Sequence, residues 1–143
     1  MRPADRPGPR RWLLLPAAVL PLALSGLAAG CSNTPSYCTD ATNLKTSVSN
    51  LSNVDVAKNG ISSLQTALNS AQTNASKFVT DAKSAFPSQT AALNTSLTAL
   101  ATTIKSAKGE PPATAATAIV PAVAQVKTTA SNLQSAVSSA GKC

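Results

Sequence analysis

The sequence predicts an all-α protein, an antiparallel up-and-down bundle of four helices. Three observations predict it. Apolar residues recur at alternating steps of three and four along four separate stretches, which lays a stripe down one face of each helix. The breaks between those stretches fall on residues with a chemical reason to end a helix. Sustained period-two alternation, the mark of a half-buried strand, is missing.

The first stripe is Tyr37, Ala41, Leu44, Val48 and Leu51, which predicts a helix over 38–52. Asp55 is a good N-cap, since its carboxylate accepts from the free amides of a first turn, and it sets the second helix at 56–84. That helix carries Ile61, Leu64, Leu68, Ala71, Ala75, Phe78 and Ala82. Phe86-Pro87-Ser88 interrupts the pattern, because proline lacks an amide hydrogen and clashes with the preceding turn. The third stripe, Leu93, Leu97, Leu100, Ile104 and Ala107, predicts a helix over 88–107. Lys108-Gly109-Glu110-Pro111-Pro112 is the clearest loop. The fourth stripe, Ile119, Val123, Val126, Ala130, Leu133, Val137 and Ala140, predicts a helix over 113–140. Pro121 falls inside it and predicts a kink or a later start. The first helix is about half as long as the second. Either a boundary is misplaced, or an apolar strip lies open for a lipid or protein partner; the misplaced boundary is the favoured reading.

The N-terminal stretch has a different character. Arg2, Arg6, Arg10 and Arg11 precede an uncharged run, WLLLPAAVLPLALSGLAA, from Trp12 to Ala29. A basic segment, an apolar segment and then small residues is the order of a secretory signal peptide. A retained transmembrane helix is the competing reading, but it needs about 20 apolar residues. This run contains Pro16 and Pro21 and ends in small residues. Leu27, Ala28, Ala29, Gly30 and Cys31 follow, and this motif resembles the lipobox of bacterial lipoproteins. The resemblance implies a diacylglycerol on the Cys31 thiol and cleavage between Gly30 and Cys31. Ala28 stands where leucine is most common, with Leu27 one place earlier. The Arg10-Arg11 pair also resembles a fragment of a twin-arginine export signal. The implied organisation is a cleaved leader over 1–30, a short membrane-proximal linker over 31–37 and a helical domain over 38–143.

With Cys31 assigned to lipid, Cys38 and Cys143 remain, and exported proteins sit where disulfides persist. A bond between them would close the whole domain; two free thiols are the alternative. Bridged cysteines need Cα atoms about 4.4–6.8 Å apart. A 20-residue helix is about 30 Å long, so only an even number of up-and-down helices brings both ends to one pole. Four helices and a terminal disulfide support one another. The bond matters because the core is thin. Leu, Ile, Val and Phe account for 21 of the 113 residues after Gly30, near the roughly 20% below which chains tend toward disorder. Alanine at stripe positions lets helices approach closely and favours the helix itself.

Most chemistry has no residues to carry it. The chain has no histidine, and residues 31–143 have no arginine or tryptophan. The acids Asp40, Asp55, Asp81 and Glu110 are scattered, so no metal set or carboxylate pair is expected. No glycine-rich phosphate loop occurs. No enzyme activity and no cofactor are expected. Nucleic-acid binding is not expected either, for want of arginine and stacking aromatics. Eight lysines against those four acids give a mildly basic surface, suited to solubility or to anionic lipid and wall polymer. The expected role is a non-catalytic binding lipoprotein on the extracytoplasmic face of the cell membrane, anchored through Cys31. Its partner would be an envelope polymer, a lipid or a protein. A structural spacer that self-associates through its helices is the alternative. The Ala/Pro- and Ser/Thr-rich composition resembles small lipoproteins of high-GC Gram-positive bacteria.

Overall fold

The computed structural model describes residues 34–141 and Cys143, and within them the chain forms four helices and no strand. These are α1 (Ser36–Ser52), α2 (Val56–Ala82), α3 (Pro87–Ala107) and α4 (Pro112–Ser139). Each boundary lies within two residues of the sequence expectation. The expected leader over 1–30, the expected cleavage site at Gly30 and Cys31, and the lipidation expected on Cys31 all lie outside the described residues. The expected linker is shorter than its 31–37 span, because Ser36 and Tyr37 already belong to α1 and Tyr37 is buried. No helix among the described residues is long and apolar enough to cross a membrane.

Proline and glycine punctuate the chain as their backbones dictate. Pro87 and Pro112 each occupy the first position of a helix, where a missing amide hydrogen costs nothing. Gly141 follows α4 at φ 64° and donates its amide to the Ser138 carbonyl. Such a left-handed residue closes a helix and turns the chain away. Pro121 does not start a later helix, as one sequence reading had it; α4 continues through it. Pro121 is exposed, so the carbonyl left unpaired by the missing N–H stays within reach of water.

The helices pack in the ring order α1, α2, α3, α4, with the heaviest packing in the pairs α1–α2 and α3–α4. α2 also touches α4 across the centre, whereas α1 and α3 do not meet. The side-chain contacts pair rising with falling residue numbers: Ser47 with Asn74, and Tyr37 with Phe86. That is the order an antiparallel pairing of α1 with α2 requires. Cys38 and Cys143 are bonded, with Cα atoms 5.6 Å apart. At the same pole the Tyr37 ring meets the edge of Phe86, centroids 5.5 Å apart.

The core is the four predicted stripes, nearly residue for residue. Leu44, Leu64, Phe78, Leu93, Leu97, Leu100, Ile104, Ile119, Val126 and Leu133 are fully or almost fully buried. Ala71, Ala75, Ala82, Ala107 and Ala115 are buried between them, as close-packed small residues. One expected core residue is outside: Ala140 caps α4 beyond the last buried position, Val137, and is exposed. Four hydroxyl residues are buried instead, namely Ser47, Thr90, Ser96 and Thr129. Ser96 Oγ and Thr129 Oγ1 lie 2.8 Å apart between α3 and α4, and each also reaches a carbonyl of its own helix. Asn74 Nδ2 donates to Ser47 Oγ between α2 and α1. No buried side-chain nitrogen or oxygen among the described residues lacks a partner.

The mismatch in helix length is resolved by a break inside α2. Gly60 has φ 73° and ψ 172°, far outside helical values. The regular rod therefore covers residues 61–82, and the turn before it bends away. This corrects the continuous helix expected over 56–84. The bend carries Val54, half-buried, and Val56, buried, into the space beyond the end of α1. The opening is only partly covered, since Val120 on α4 stays 65% exposed.

Two measurements check these assignments. Loss of the disulfide in the double variant Cys38→Ser, Cys143→Ser releases a closure of 105 residues. It is expected to lower unfolding stability by about 4–5 kcal/mol, read as a fall in the urea midpoint by circular dichroism. Gly60→Ala places a side chain in backbone space reserved for glycine, although a Cβ there meets nothing within 4 Å. The expected cost is about 1–3 kcal/mol from backbone strain alone, with Ala57→Ser as a surface control that leaves the midpoint near wild type.

Candidate functional site

A concave feature floored by buried core residues lies between α1 and α4. Its floor is Leu44 and Val48 from α1 and Leu133 from α4, all buried core residues seen from the side. Ala41 and Ala130, half-buried, stand at its edges. Their short side chains leave a hollow of about 200 Å³ where longer ones would close the seam. The rim is polar and includes Ser49, Ser131 and Gln134.

A second hollow of about 240 Å³ adjoins the first, and Ser52 and Lys127 line both. Val54, Val56, Val120 and Val123 line it, with Leu64 and Ile119 among its buried residues. It exists because α1 stops at Ser52 while α4 runs on, and the bend at Gly60 brings only two valines across the gap. The exposed strip weighed from helix lengths is therefore present, though reduced. Together the hollows form a trough along α4 from Gln134 to Val120. Those fourteen residue steps rise about 1.5 Å each, so the trough is about 21 Å long.

Two lysines give the trough its charge. Lys45 and Lys127 both line it and are exposed. The ion pair formed among the described residues is elsewhere, between Lys58 Nζ and Asp55 Oδ2 at 3.3 Å. Neither Asp40, Asp81 nor Glu110 lines either hollow. Among the described residues the trough thus joins an apolar floor to cationic groups and no anionic ones.

Asp55 lines neither hollow and acts structurally, as the N-cap of α2. Its carboxylate accepts from the Lys58 amide at 3.2 Å and faces the Lys58 ammonium. The backbone hydrogen bond, then the side-chain one, hold its pKa below the ordinary aspartate value.

Other concave surfaces offer less. A shallow face on α3 is lined by Ala91, Thr95, Thr98 and Thr102. The three hydroxyls donate to carbonyls one turn back on their own helix, so none is left to donate to a ligand. Among the described residues no three of His, Cys, Asp and Glu gather in a metal-binding group.

Of the residues singled out by sequence, the fold brings Cys38 and Cys143 together. The hollow over Leu44, Val48 and Leu133 was not foreseen. Its signals were Ala41 and Ala130 at stripe positions where leucine would seal a seam, and the signal of the bend in α2 was Asn59-Gly60 as a turn dipeptide. Comparison with protein-family models, with curated proteins and with solved structures found no match.

The Asp55 cap makes a pH-dependent prediction. A folded-state pKa below the unfolded value of about 3.9 stabilises the fold fully above that pH. The contribution fades as the pH falls through the folded value. Asp55→Asn keeps a capping oxygen and loses the charge. It is expected to melt slightly below wild type at neutral pH, and the gap should close in acid, read by parallel thermal melts.

Proposed function

We propose that this chain is a non-catalytic binding lipoprotein of the cell envelope, held at the extracytoplasmic face of a membrane by lipid on Cys31. The observation that carries the binding role is the apolar trough between α1 and α4 with Lys45 and Lys127 lining it. A spacer needs no such hollow; a binding module does. The anchor rests on the sequence order of basic segment, apolar run and LAAGC. Support also comes from the disulfide, which persists in oxidising compartments. The lysines suit a surface that works beside anionic lipid and wall polymer.

Anchor and binding role are tested separately. Intact mass of the membrane-extracted chain should show loss of residues 1–30, added acyl mass on Cys31 and two further hydrogens on reduction. Retention of the leader without acylation would remove the anchor. Solution mass of the detergent-extracted protein should be that of a monomer, whereas a defined oligomer would favour the spacer.

A further inference from the structure

We propose that the α1–α4 trough binds a single-chain amphiphile with an anionic head, its acyl chain laid in the apolar hollows and its head attracted by the exposed ammonium groups of Lys45 and Lys127. This rests on the binding role proposed above and names the ligand class. Three features converge on it. The shape is elongated: two hollows of about 200 and 240 Å³ lie in succession along α4 and share Ser52 and Lys127 in their linings. Each alone is smaller than the roughly 300–1,000 Å³ of a compact small-molecule pocket. Joined, they match one extended chain rather than a compact ring system.

The lining is aliphatic where it is deep, with Leu44, Val48 and Leu133 in one hollow and Leu64 and Ile119 in the other. No aromatic side chain among the described residues lines either hollow. Such a surface has dispersion and hydrophobic attraction for methylene groups and no stacking preference. An acyl chain there would also cover Val120, the large apolar side chain the described fold leaves most open.

The charge is one-signed. Among the described residues, Lys45 and Lys127 have no carboxylate partner within ion-pair distance, and no acid lines the trough. A cationic amphiphile would meet repulsion there. An anionic head would meet two ammonium groups there, an attraction that weakens as salt is added. Both lysines are exposed, so the head stays hydrated while the tail is buried.

The test uses the full-length, disulfide-bonded chain carrying Cys31→Ser, so that no acyl chain of its own competes. The result is then independent of whether the natural chain is anchored. Palmitate, kept below its micelle concentration, is titrated while backbone amide shifts are followed. Saturable one-to-one binding is expected, with shifts concentrated over 41–53 and 120–134. Lys45→Glu combined with Lys127→Glu should weaken palmitate about tenfold, as two modest surface charge contacts are lost and reversed. Hexadecyltrimethylammonium, with the same tail and the opposite charge, should bind more weakly than palmitate, and this order should invert in the double variant. Ser49→Trp and Ser131→Trp each place a large ring at the rim and should block binding. Thermal melts of all variants near wild type would show that the fold is kept.

Several results would overturn the proposal. One is the absence of saturable binding; another is binding whose shifts avoid α1 and α4. Equal affinity for the two amphiphiles, unchanged by the lysine substitutions, would leave only greasy adsorption. Binding to anionic phospholipid vesicles with none to dispersed palmitate would make the surface a membrane contact instead.

Discussion

The bond between Cys38 and Cys143 fixes both ends of the fold at one pole. The rest of the architecture follows from that constraint. Helices of 17 to 28 residues are far longer than the reach of a disulfide. An odd number of passes would strand the two sulfur atoms at opposite poles. The closure also selects what gathers at the shared pole. Tyr37 opens α1 and Phe86 precedes α3, so their rings meet in the region where the last turn of α4 brings Cys143 back. The hydrophobic contact and the covalent one reinforce each other there.

Away from that pole the bundle is held by small residues and hydroxyls as much as by large aliphatics. Alanine carries little apolar area, and its contribution is proximity: helices separated by Ala71, Ala75 or Ala115 approach closely enough for dispersion contacts to accumulate. Close approach brings hydroxyls into the core, where each needs a partner. The Ser96–Thr129 pair and the Asn74–Ser47 bond supply partners across helices, while most exposed threonines bond their own backbone. The polar pairs fix which residue faces which in a core whose alanines discriminate poorly between registers.

How much of this was legible depends on whether the signal lies within one helix or between two. The stripes are a property of single helices, so Leu64, Leu68, Phe78, Leu93 and Leu100 were placed correctly from spacing alone. Breaks at Pro87 and Pro112 were equally readable, because proline acts on its own turn. Gly60 was hidden by the strength of the pattern on either side: Asn59-Gly60 signals a turn, but Asp55 as a cap and the stripe from Ile61 argued for one uninterrupted rod. Ala140 failed because a stripe carries no mark of where packing stops. The trough was the least visible feature. A half-buried alanine reads the same as a buried one in a spacing argument, and only the presence of Ala41 and Ala130 around one hollow distinguishes a gap from a seam.

The closed covalent loop has one consequence for durability. The turn joining α3 to α4, with Lys108, Gly109 and Glu110 all exposed, is the natural place for a protease to cut. In an open chain such a nick would free the last helix to diffuse away. Here the severed piece stays tethered through Cys143 to the start of α1, next to the partners it has just left. Re-docking is then intramolecular, favoured by a high effective concentration. A nicked molecule would keep its mass, and much of its shape, until a reductant separates the halves.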